Sequence, residues 1–135
     1  MFWFIEYING NTISEQSINF NYVDKERVKR FYFKNKNGDV YGINMEKLTF
    51  FINNQEIDIK IKGESPKLLQ YKTASMSITS NVHKISSWNL GVETYLNNEI
   101  HKYVMNIKVD GEIYIVATKQ NLISGKVEEK RVPLH

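Results

Sequence analysis

Five dipeptides set the limits on what this chain can become. Asn9-Gly10, Asn37-Gly38, Asn53-Asn54, Asn97-Asn98 and Asp110-Gly111 each fall between apolar or alternating runs. Each puts residues that tolerate positive φ where a two-residue hairpin loop needs them. Hairpins spaced this closely leave little room for helices. Intrinsic preference agrees: alanine occurs only at Ala74 and Ala117, while Ile, Val, Tyr, Phe and Thr are abundant, and these favour the pleated conformation. The expectation is an all-β fold of ten or eleven antiparallel strands, built as a sandwich or a barrel, with a short helical turn over Asp24–Val28 capped by Asp24. At 135 residues a single domain spanning 1–135 is expected. Gly63-Glu64-Ser65-Pro66-Lys67 reads as a crossover between N-terminal hairpins and a C-terminal meander.

Two-residue loops fix which side chains share a face. Around Asn53-Asn54, Ile52 then faces Gln55, Phe50 faces Ile57 and Leu48 faces Ile59, which leaves Thr49, Phe51 and Glu56 on the wet side. Around Asn97-Asn98, Leu90, Val92, Tyr103 and Met105 share a face and Glu93 opposes Lys102. The Asp110-Gly111 loop groups Met105 and Ile107 with Tyr114 and Val116, predicting a three-stranded meander from about Trp88 to Thr118. The first two hairpins come out apolar on both sides: Phe31, Phe33 and Val40 against Tyr32, Tyr41 and Ile43, and Phe4, Ile8 and Ile13 against Trp3, Ile5 and Tyr7. Such a sheet needs a second layer, a ligand or a partner over its other face, and symmetric homo-oligomerisation is the simplest cover.

The absence of cysteine excludes disulfides, thiolate zinc sites, iron–sulfur clusters and cysteine nucleophiles. No apolar run approaches the length of a membrane helix, and the start, Met1-Phe2-Trp3-Phe4-Ile5-Glu6, lacks the basic region of a signal peptide, so a cytoplasmic location and no membrane partner are expected. A net charge of +3 is spread thinly. Arginine, the preferred reader of phosphates and bases, occurs only at Arg27, Arg30 and Arg131, and the excess of Asn, Ile and Lys resembles codon bias in an AT-rich genome. The composition argues against a dedicated nucleic-acid binder.

No motif for phosphate loops, nucleophile elbows or metal sites is present, and His83, His101 and His135 show no metal spacing, so no catalytic residue, metal or cofactor is expected and the chain is read as non-enzymatic. Glu128-Glu129 beside Lys130-Arg131 reads as a solvated edge strand whose charges discourage pairing. The dense stretch Asp24-Lys25-Glu26-Arg27-Val28-Lys29-Arg30 is the richest in candidates. Arg27, Lys29 and Arg30 with Tyr32 form a candidate anion or nucleotide site, the guanidinium forks binding oxygens and the ring stacking on a base; a solvated turn is the plainer reading. Trp88-Asn89 beside Gly91 either lines a pocket or plugs the core.

Trp3-Phe4-Ile5-Glu6-Tyr7-Ile8-Asn9-Gly10-Asn11-Thr12-Ile13-Ser14, then Tyr22-Val23-Asp24-Lys25-Glu26-Arg27-Val28, then Ser87-Trp88-Asn89-Leu90-Gly91-Val92-Glu93 resemble small accessory proteins encoded by bacteriophages and prophages. In that family an opening tryptophan strand, an Asn-Gly or Asp-Gly turn and a later aromatic-Asn-x-Gly strand recur; Val92 stands where an aromatic is expected. The resemblance implies a phage gene in a low-GC host and a binding protein, often a symmetric oligomer, that blocks a host protein or sequesters a nucleotide signal. The leading expectation is a phage-type binder of a host protein, such as a defence component; the alternatives are sequestration of a nucleotide or oligonucleotide and a structural or assembly role in the phage.

Overall fold

The computed structural model describes residues 2–17, 23–57, 59, 70–81, 84–96, 99–111 and 113–134. The strands are β1 (Phe2–Tyr7), β2 (Thr12–Ser14), β3 (Val28–Lys34), β4 (Val40–Asn44), β5 (Thr49–Ile52), β6 (Gln55–Ile57), β7 (Gln70–Asn81), β8 (Lys84–Leu96), β9 (Glu99–Asp110), β10 (Tyr114–Asn121) and β11 (Val127–Pro133). The only helical pieces among the described residues are two 3-10 turns, Glu15–Ser17 and Lys25–Arg27. The second is the expected turn: Asp24 caps it, its carboxylate accepting the Glu26 N–H at 3.3 Å.

Each half of the chain builds its own sheet. β1 to β6 form a six-stranded antiparallel sheet in the order β2-β1-β3-β4-β5-β6, and β7 to β11 form a five-stranded meander in the order β11-β10-β9-β8-β7. Both sheets are open, and they pack face to face as a sandwich. Trp88 of the second sheet inserts between two rings of the first, stacked on Phe31 with centroids 4.6 Å apart and edge-on to Trp3 at 5.9 Å. A continuous apolar core surrounds this trio, with Ile5, Phe33, Tyr41, Ile43 and Phe50 from one sheet and Leu90, Met105, Ile107 and Ile115 from the other. A fully buried side chain of this size contributes about 1.5–3 kcal/mol, and aromatic pairs add roughly 0.5–1.5 kcal/mol each. The change of sheet falls between β6 and β7, whereas the crossover expected at 63–67 lies outside the described residues.

Three expected loops are one residue longer than predicted, and that reverses several faces. Tyr7 N–H donates to the Asn11 carbonyl at 2.8 Å, so the first loop is Ile8-Asn9-Gly10 and Ile5 opposes Ile13. Asn35 N–H donates to the Asp39 carbonyl at 3.0 Å, so the second loop is Lys36-Asn37-Gly38 and Phe33 opposes Tyr41 while Phe31 opposes Ile43. The third loop covers 111–113, and Ile107 opposes Ala117, not Tyr114. The reason is local. The Asn35 side-chain carbonyl accepts the N–H groups of Asn37 and Asp39 at 3.0 and 2.9 Å, bracketing three residues, and Gly38 closes the loop at φ 85°, a conformation that Gly adopts without strain.

Because side chains alternate, an odd shift moves a whole strand to the other face. Tyr41 and Ile43 join Phe31 and Phe33 inside, and Ile115 and Ala117 take the core positions expected for Tyr114 and Val116, while Ile13 comes to the face of Ile5 but stays only half-buried at the sheet edge. The two-sided apolar character read for the first two hairpins is thereby corrected: one face of the first sheet carries nearly all the buried apolar residues. The Asn53-Asn54 loop and the pairing of β8 with β9, including Glu93 opposite Lys102, are as expected, although Leu48–Ile59 falls outside the ladder and residues 97–98 lie outside the described set.

Candidate functional site

With the core settled on one face of the first sheet, its other face can be read row by row. Across β2, β1, β3, β4, β5 and β6 one row runs Ser14, Phe4, Tyr32, Gly42, Phe51 and Glu56. Phe4 and Tyr32 are stacked, centroids 5.2 Å apart and planes 17° from parallel. Gly42 leaves a gap in the row, and Phe51 beyond it is only 6% exposed despite facing away from the core. The next row contains Thr12, Glu6, Arg30 and Asn44. Arg30 reaches over the gap, its guanidinium carbon 4.9 Å from the centre of the Tyr32 ring and 5.3 Å from that of Phe51.

Arg30 donates from Nε to the Glu6 carboxylate directly across the β1–β3 ladder. The pair is partly buried, so the guanidinium is held over the two rings by charge on one side and cation–π attraction on the other. The Tyr32 phenol has its pKa raised: burial is the largest cause and Glu6 adds to it, while Arg30 and a hydrogen bond with Thr12 pull it down. The ring therefore stays neutral through the physiological range and presents a hydroxyl beside a fixed planar cation. The result is an amphipathic aromatic surface with a preorganised arginine.

The sequence candidates distribute unevenly over this picture. Arg30 and Tyr32 come together as expected. Arg27 sits in the 3-10 turn, mostly exposed and paired with Asp24 at 3.4 Å, and Lys29 is exposed in a bulge where the β1–β3 register shifts. That bulge lets Val28 and Phe31 both face the core. Trp88 is fully buried between Phe31 and Trp3, on the opposite side of the first sheet from Arg30 and Tyr32, so it is a core plug and not a stacking platform. Asn89 faces away from the core of the second sheet, its carbonyl accepting the Asn106 amide. Trp88 and Asn89 thus lie on opposite faces of β8 and line no common pocket.

Phe4, Glu6, Gly42 and Phe51 were not among the sequence candidates. Their signal is combinatorial: only the three-residue loops bring Tyr32 opposite Gly42, and no local motif marks that row. His101 opposes Thr94 as expected and stacks beside Tyr103 at 6.3 Å; His83 and His135 lie outside the described residues. Among the described residues no group of three or more His, Cys, Asp or Glu side chains could hold a metal ion, and no helix is long and apolar enough to cross a membrane. No protein-family model, curated protein or solved structure matches the chain.

Proposed function

We propose that the chain is a non-enzymatic binding protein that docks on a partner protein through the outer face of its first sheet, with Phe4, Arg30 and Tyr32 at the centre of contact and the buried Phe51 ring supporting Arg30 from beneath. The observation that carries this reading is Arg30 held across Tyr32 and Phe51 by Glu6. Arginine and tyrosine are the side chains most often found as interface anchors, and an anchor already fixed in place loses little entropy when a partner arrives. The resemblance to phage accessory proteins supplies the partner class, a host protein whose working surface is occluded, for example a defence component. Nucleotide sequestration has less support, because Arg30 and Arg27 are engaged by Glu6 and Asp24 and Trp88 is unavailable for stacking.

The test is purification of tagged protein from a host extract, native mass spectrometry of what accompanies it, and affinity measurement with Phe4→Ser and Tyr32→Ser. A stoichiometric protein whose affinity falls about thirty-fold in either variant, the equivalent of about 2 kcal/mol for an anchor residue, supports the reading. A partner bound equally well by both variants, or a nucleotide-sized mass in place of a protein, rejects it.

A further inference from the structure

Among the described residues β11 is hydrogen-bonded on one side only, to β10, and forms the edge of the second sheet. Which of its backbone groups face outward follows from two bonds flanking the ladder. Asn121 N–H donates to the Lys126 carbonyl at 2.9 Å and Leu134 N–H to the Ile113 carbonyl at 2.7 Å, both continuing the register that pairs Gln120 with Val127 and Tyr114 with Pro133. Antiparallel ladders alternate, so the even-numbered residues of β11 turn their N–H and C=O groups to β10. Val127, Glu129 and Arg131 turn theirs outward. Pro133 also faces outward but has no N–H to offer.

The charges along this edge are not equivalent. On the face turned away from the core, Arg131 donates to Asp110 at 2.9 Å and to Glu129 at 3.0 Å. On the other face Glu128 and Lys130 have neither an ion pair nor a hydrogen bond from their side chains among the described residues.

A second copy of the same strand satisfies this edge in one register. Residues directly opposite in an antiparallel pair point to the same side of the sheet, so a two-fold axis must pass where a residue faces its own copy. With Lys130 on the axis, two lysines would meet and Pro133 would enter the ladder opposite Val127. With Glu129 on the axis, the outward groups of Val127, Glu129 and Arg131 all find partners and Pro133 falls outside. Glu128 then faces Lys130 of the second copy, twice, at the closely spaced non-hydrogen-bonded positions. The two central Glu129 carboxylates are each already balanced by Arg131.

We propose that β11 is a dimerisation edge, pairing antiparallel with β11 of a second copy about a two-fold axis at Glu129 and continuing the five-stranded sheet across two subunits. The charges that deter arbitrary strands select this one partner, because their order is complementary to itself. The surface is separate from the aromatic face of the first sheet.

Sedimentation equilibrium of the full chain over roughly 1–500 µM, a range matched to a weak interface, tests the proposal together with Glu128→Lys, Lys130→Glu and the double exchange. The expected result is a reversible dimer, weakened about tenfold or more by either single reversal and restored by the double exchange, with the far-ultraviolet circular dichroism spectrum unchanged throughout. A wild-type chain that stays monomeric, a dimer indifferent to Lys130→Glu, or a double exchange as weak as the single variants overturns it. Phe4→Ser and Tyr32→Ser leave the dimer intact, which separates its failure from that of the binding face.

Discussion

At Gly42 the main chains of β3 and β4 come too close for a side chain. A Cβ atom there would lie 2.1 Å from the Phe31 carbonyl oxygen and 2.8 Å from both Cα and Cβ of Tyr32, all parts of a strand that cannot turn aside. The same position is the gap over which Arg30 lies, so a packing requirement and the shape of the candidate site share one residue. Gly42→Ala is expected to cost about 1–3 kcal/mol, the range for forcing extra atoms into a packed site. Urea denaturation checks this, and an unchanged midpoint would show that β4 can move without penalty. Asparagine acts at the same scale. Asn35, Asn44 and Asn121 each accept backbone N–H groups two or more residues ahead, closing turns after β3, β4 and β10. An amide that begins a turn thus matters as much as the Asn-Gly pair within one.

At the scale of the element, alternation makes register the deciding quantity. Lys29 is the extra residue of the β1–β3 bulge: Glu6 pairs with Arg30 and Tyr7 with Val28, leaving Lys29 unopposed. A bulge resets which side chains point inward, which is how Val28, Phe31 and Phe33 are all buried. Deleting Lys29 would put Val28 on the outer face or drive Phe31 and Phe33 there, so the deletion variant is expected to lose cooperative unfolding in urea. Lys29→Ala removes only an exposed side chain and is expected to stay within about 0.5 kcal/mol of the parent. Equal stabilities for the two variants would refute the bulge.

For the whole molecule, the two sheets meet at Trp3, Phe31 and Trp88. The chain has two tryptophans, one in each sheet, and their rings are 5.9 Å apart. Tryptophan fluorescence therefore reads the docking of one sheet on the other, while far-ultraviolet circular dichroism reads strand content. Because the two sheets bury their apolar faces in one common core, the two signals are expected to change together with denaturant. A fluorescence transition preceding the loss of circular dichroism would mean that one sheet persists alone.

The class of the fold was legible in the residues alone. The β-favouring composition, the turn residues and the lack of cysteine led to an all-β sandwich or barrel, to the Asp24-capped turn and to the β8–β9 register, because each rests on local backbone preference or on a loop flanked by unbroken alternation. Of the candidate site, Arg30 and Tyr32 were legible as charge beside an aromatic ring. The exclusion of Trp88 and the recruitment of Phe4, Glu6 and Phe51 were not. Those depended on the long-range β1–β3 pairing that brings Phe4 and Glu6 beside Tyr32 and Arg30, on the docking of Trp88 against the first sheet, and on a three-residue loop between β3 and β4 where two were expected, and a single residue of slip exchanges inside for outside along an entire strand. Only the tertiary structure could decide them: an Asn-Gly pair suits either loop length, and the choice lies with amide brackets, the bulge at Lys29 and the demand that Trp88 find rings to pack between.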